Sequence, residues 1–119
     1  MPKLVRVVNR TRDAVLAERA ELANNPWSRF WGLMGRASVA PGTGLVLKPG
    51  GGIHMFWMNF AIDALFLDRA ERVVRVYRRL GEWRIVPLVW GAHSVVELPA
   101  GSLDGLDLPK GHQLQFVQS

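Results

Sequence analysis

Five side chains of this sequence have the types to do chemistry together: Arg36, His54, Met58, Asp63 and Glu97. A guanidinium such as Arg36 grips a carboxylate or phosphate through parallel N–H donors, and a carboxylate such as Asp63 accepts a hydrogen bond or a proton. Asp63 opens onto the continuous apolar run Ala64 to Leu67, a segment suited to burial, where a charge is costly unless paired. Arg29 or Arg36 can supply the partner. Two readings follow. In one, the pair is scaffold that fixes an element against a sheet; in the other, Arg36 takes an anion in a pocket while Asp63 accepts a hydrogen bond.

His54, with Met55 and Met58, offers the imidazole and thioether donors that suit copper(I). On an extended strand, however, residues four apart lie about 13 Å along the chain while metal bonds span ~2 Å, so these donors do not converge without a bend. No metal site is expected. Glu97 alternates with Val95 and Pro99 along a strand-like run, which sends it to solvent or into the pocket beside His54. Asp63 and Glu97, assisted by His54, could divide acid and base roles as the carboxylates of glycoside hydrolases do. That is the enzyme alternative to a binding site. The stretches Gly42-Thr43-Gly44 and Gly50-Gly51-Gly52 lack the spacing and the following Lys-Ser/Thr of a phosphate loop, Ser94 is not in a nucleophile elbow, and no cofactor is identified.

The 119 residues, 49% hydrophobic and 21% charged, are expected to form a single domain over 1–119 with one apolar core. The absence of cysteine excludes disulfides, thiolate zinc sites, iron–sulfur clusters and cysteine nucleophiles. A net charge of +5 and a pI near 10.7 favour acidic partners without choosing among them. The excess is uneven: residues 1–60 carry eight basic and three acidic side chains, residues 61–119 seven of each. No acid occurs between Glu21 and Asp63, so a ligand bound around that segment is expected to be small and anionic. The arginines from Arg69 to Arg84, interleaved with Tyr77 and Trp83, raise a further alternative, an arginine-rich surface for nucleic acid or acidic partners. Asp68, Glu71 and Glu82 among them favour an ordinary solvated face instead. The N-terminal residues show no signal peptide, which points to the cytoplasm, and no apolar run has the length of a transmembrane helix.

Turn residues recur at Asn24-Asn25-Pro26, Pro41 to Gly44, Pro49 to Gly52, Gly101-Ser102 and Pro109 to Gly111, separating short runs rich in Val, Leu, Ile and aromatics. This is the spacing of a β-sandwich or barrel. Strands are predicted at Leu4 to Val8, Ala14 to Ala17, Leu45 to Leu47, Ile53 to Trp57, Ala64 to Leu67, Val73 to Tyr77, Val95 to Leu98 and Gln113 to Val117. One short amphipathic helix is predicted where Trp27, Phe30, Trp31 and Met34 recur at helical spacing, with Asn25 as cap, Pro26 in the first turn and Gly35 as stop. Residues Asp68 to Leu80 are ambiguous: Val73, Val76, Tyr77 and Leu80 match a helical stripe behind an Asp68/Glu71 capping box, whereas three valines and a tyrosine favour a strand.

The run Phe30-Trp31-Gly32-Leu33-Met34-Gly35-Arg36, then Ile53-His54-Met55-Phe56-Trp57-Met58, then Ile62-Asp63-Ala64-Leu65-Phe66-Leu67-Asp68, and finally Val96-Glu97-Leu98-Pro99-Ala100-Gly101, resembles the domain-of-unknown-function family 192 over about residues 27–117. The resemblance implies a mainly antiparallel β-sandwich of jelly-roll type with one short helix. It also implies that the run after Asp68 is the return strand of a hairpin. It implies no activity, and the chain departs from the many relatives that carry an export signal. The sequence thus predicts a small β-sandwich binding domain whose pocket, near Arg36, His54, Met58, Asp63 and Glu97, holds a small anionic ligand.

Overall fold

A computed structural model describes residues 3–23, 42–48, 53–54, 61–81, 85–86 and 89–118. These form nine strands: β1 (Lys3–Asn9), β2 (Ala14–Ala23), β3 (Thr43–Leu47), β4 (Ile53–His54), β5 (Ile62–Leu67), β6 (Val73–Leu80), β7 (Ile85–Val86), β8 (Ser94–Pro99) and β9 (Leu114–Gln118). Each run of β-branched and aromatic residues predicted as a strand overlaps one of them, and β7 is the strand the pattern missed. The predicted helix over Trp27 to Met34 lies outside the described residues, among which there is no helix.

The fold is mainly β, but it is not a sandwich. Seven strands hydrogen-bond edge to edge in one mixed sheet, in the order β6-β5-β8-β3-β2-β1-β9, and the sheet curls into a half-barrel; β4 and β7 form a separate two-stranded pair. Turn spacing is the same for sandwiches and barrels, and what separates them is which strands pair. Here β2 and β3 run parallel, joining into one sheet the strands that a jelly roll divides between two. Register shifts in the β1–β2 and β5–β6 pairs sharpen the curl, because an extra residue on one strand bends it and increases its twist.

The two edge strands meet at one end of the seam. Arg72 bridges Gln113, Val73 N–H donates to His112 O (2.9 Å), Gly111 N–H to Val73 O (2.8 Å) and Leu114 N–H to Glu71 O (2.9 Å). Side chains from all seven strands, among them Val5, Ala20, Val46, Leu65, Val76, Val96 and Leu114, pack in one cluster with Leu103 and Leu108 of the β8–β9 connection. Residues so far apart in the sheet meet only inside its curve, so this cluster is the concave core. Leu45, Ile62, Ala64, Phe66 and Val95 are buried on the other, convex face together with Val89. Strand β5 is therefore buried on both sides, which is why its sequence is apolar without alternation.

The ambiguous run after Asp68 is the return strand β6, as the resemblance implies. The Asp68/Glu71 pattern builds a turn rather than a helix start: Asp68 Oδ1 accepts the N–H groups of Ala70 and Arg72, each at 2.9 Å, and Glu71 sits at φ +64°. Alternation along β6 is broken. Strict alternation would put Val74 and Val76 on one face, whereas the irregular register turns Val73 and Val76 to the core and Val74 and Tyr77 to the convex side.

Candidate functional site

The β5–β8 ladder pairs Asp63 with Leu98 and Ala64 with Glu97, in regular register. Adjacent strand residues point to opposite faces, so the two carboxylates are separated by the sheet. Asp63 shares the concave side with Leu65 and Leu67. Glu97 shares the convex side with Leu45, Ala64 and Val95.

Asp63 is 0% exposed, and its carboxylate is engaged by main chain. Arg79 N–H donates to Oδ1 at 2.7 Å and Leu103 N–H donates to Oδ2 at 2.8 Å. Arg79 sits at φ +52°, inside the irregular part of β6 that lies opposite Asp63. One oxygen therefore holds a strained bulge residue, and the other holds the loop that carries Leu103 into the core. The sequence reading of Asp63 as buried is met, and its two oxygens are satisfied by amides rather than by a second side chain among the described residues.

Glu97 is 4% exposed on a face whose floor is otherwise apolar. Its cross-strand neighbours are Leu45 on β3 and Ala64 on β5. The same row continues outward to Glu21 on β2, paired with Leu45, and to Tyr77 on β6, paired with Ala64. Phe66 lies beside this row, its ring edge-on to Tyr77 with centroids 5.7 Å apart. Backbone approach is closest at Gly44, where a Cβ would meet Leu98 Cδ2 at 2.7 Å and Glu97 O at 3.0 Å; only glycine lets β3 lie this near β8. The geometry brings Glu97, Glu21 and Tyr77 into one row and does not bring Asp63 to them. No sequence signal short of knowing the β2–β3–β8 pairing could have joined Glu21 to Glu97.

Of the other predicted site residues, Arg36 and Met58 lie outside the described residues, and His54 is placed by its backbone alone, in β4 opposite Ile85. Among the described residues, no group of three His, Asp or Glu side chains could hold a metal ion. Among the described residues no helix is long and apolar enough to cross a membrane.

The arginines of the hairpin divide into two sets. Arg78 donates to the carbonyls of Leu103 and Leu106, Arg79 pairs with Asp104, and Arg75 donates to Tyr77 Oη at 3.3 Å, so these guanidinia are committed within the chain. Arg69 and Arg72 are exposed, and neither guanidinium has a partner among the described residues.

Comparisons with known proteins agree with this fold and leave the chemistry open. A solved structure of a Novosphingobium aromaticivorans protein of unknown function superposes with a TM-score of 0.76 at 19% identity, covering 94% of this chain and 83% of that one. A Sinorhizobium meliloti protein, named as a candidate transcription regulator, superposes with a TM-score of 0.76 at 22% identity, covering 98% of this chain and 94% of that one. Likeness at this identity concerns the fold alone. A UPF0127 protein of Thermococcus sibiricus is 31% identical over 114 residues, 92% of this chain and 73% of that protein. Another from Thermococcus gammatolerans is 34% identical over 114 residues, 92% of this chain and 74% of that protein. The profile of DUF192, described as an uncharacterized ACR, matches residues 7–116, and with relatives at this identity the chain belongs to the DUF192/UPF0127 family.

Proposed function

We propose that this protein is a small-ligand-binding domain whose ligand is held on the convex face of the half-barrel, with Glu97 in the floor of the site. The observation that carries this reading is the burial of Glu97 to 4% exposure on a face otherwise made of Leu45, Ala64, Phe66 and Val95. A carboxylate at that depth costs several kcal/mol in desolvation, about as much as a small domain's whole margin, unless charge and hydrogen bonding offset it. A buried acidic acceptor set among apolar side chains is what orients a small molecule in a pocket. Asp63 lies on the other side of the sheet, where its oxygens are taken up by main-chain amides. Its role is to position β6 and the β8–β9 loop.

The ligand in this reading carries a donor for Glu97, a hydroxyl or an amine, and an anionic group. Arg36 is proposed to receive the anion and His54 and Met58 to line the site, in a sequence region free of acids from Glu21 to Asp63. Native mass spectrometry of freshly purified protein should find a small molecule retained by the wild type. In Glu97→Gln, that molecule should rebind at least about tenfold more weakly, the loss of one charge-assisted hydrogen bond. A wild type that carries nothing and binds no member of a panel of small hydroxy and amino acids overturns the proposal. So does a Glu97→Gln variant with unaltered affinity.

A further inference from the structure

Trp90 is 88% exposed, and its mounting is rigid. Ala92 N–H donates to Val89 O at 3.0 Å across a turn in which Gly91 has φ +84°, the arrangement of a type II turn with tryptophan and glycine at its centre. Both shoulders of the turn are held. Val89 is buried on the convex face, and His93 N–H donates to Leu67 O at 2.7 Å. The indole therefore stands in water on a hydrogen-bonded turn, so covering it orders one side chain but little backbone.

Ser94 and Leu67 are cross-strand partners, so the turn that leads into β8 and the turn that leaves β5 emerge side by side at the same end of the sheet. The second turn carries Arg69 and Arg72, both exposed and with no guanidinium partner among the described residues. Its acids are already occupied, Asp68 Oδ1 by the two N–H groups of its own turn and Glu71 by Lys48 Nζ at 3.0 Å. This end of the sheet thus presents an exposed aromatic ring and two exposed cations on neighbouring turns. A nucleotide supplies a flat base and an anionic phosphate in each repeat, so it matches both features at once.

We propose that Trp90, Arg69 and Arg72 form a docking surface for single-stranded nucleic acid, with a base stacked on the indole and the guanidinia on flanking phosphates. The net charge of +5 assists the encounter. The surface lies at the end of the sheet, apart from Glu97, and stands or falls independently of the ligand site.

Fluorescence anisotropy with a labelled oligothymidylate of about 12 nucleotides, at about 50 mM salt, tests the proposal. Binding should weaken about tenfold or more in Trp90→Ala and be largely restored in Trp90→Phe, since stacking needs only a π face. Arg69→Glu combined with Arg72→Glu should weaken binding by a similar factor and flatten the slope of log K against log salt by about 1.4, the release expected for two phosphates of a single strand. All of these positions are exposed, and urea midpoints matching the wild type will establish that the variants are folded. A wild type that ignores the oligonucleotide at low salt, a Trp90→Ala variant with unchanged affinity, or preferential binding of a polyglutamate peptide overturns it.

Discussion

Asp63 and Glu97 are one residue out of step across the β5–β8 pair, and that offset puts two buried carboxylates on opposite faces of the sheet. Removing the Asp63 side chain strands the N–H groups of Arg79 and Leu103 away from water, so Asp63→Ala should lose about 3 to 5 kcal/mol in urea or guanidinium unfolding. Asp63→Asn, which keeps one acceptor oxygen, should lose less. If the alanine variant loses under about 1 kcal/mol, the amides have found other partners and the positioning role fails. Gly44 is the second residue whose identity is dictated locally. In Gly44→Ala the new methyl meets a strand carbonyl that cannot move without breaking the β3–β8 ladder, and the loss should be about 1 to 3 kcal/mol by the same measurement. Burial of Asp63 was legible from the apolar run that follows it. Its partners were not, because main-chain amides brought in from β6 and from a loop forty residues later leave no mark in side-chain identity.

At the scale of elements, the strands were legible because β-branched and aromatic runs bounded by Gly, Pro and Asn need no tertiary information to be recognised. Pairing was a different matter. The resemblance implies a mainly antiparallel sandwich, yet β2 lies parallel to β3, a pairing that no local signal in the sequence marks. Bulges hide in the same way: the two irregularities of β6 shift Val74 away from Val76, and strict alternation, the rule used to predict its faces, fails there. For the candidate site, Glu97 and Asp63 stand out in the sequence as carboxylates within apolar runs, but the row joining Glu97 to Glu21 and Tyr77 exists only once β2, β3, β8, β5 and β6 lie side by side. The connection between β8 and β9 behaves as an element although it has no regular structure. Leu103 and Leu108 are buried in the core, Asp63 and Arg78 hold the backbone at Leu103 and Leu106, and Arg79 pairs with the Asp104 side chain. Leu103→Ala should therefore cost about 2 to 5 kcal/mol, as for a leucine in any well-packed core. In native-state hydrogen exchange the Leu103 amide should be as slow as amides of β5, and exchange at the rate of an exposed loop would refute the role given to this segment.

For the molecule as a whole, the decisive join is between β1 and β9, where Asn9 lies opposite Leu114 and Val5 opposite Gln118. Few of the sheet's contacts are local, and closure of the seam also ties residues 71–73 to 111–114. Refolding should accordingly fall in the millisecond-to-second range rather than microseconds, with destabilisation of the seam speeding unfolding more than it slows folding; stopped-flow tryptophan fluorescence can measure both. The same join bears on biosynthesis. Strand β1 leaves the ribosome more than a hundred residues ahead of its outer neighbour, so throughout translation the rim of the nascent sheet stays bare of the partner that will seal it, and chaperone dependence during synthesis should exceed what the finished protein's stability would suggest.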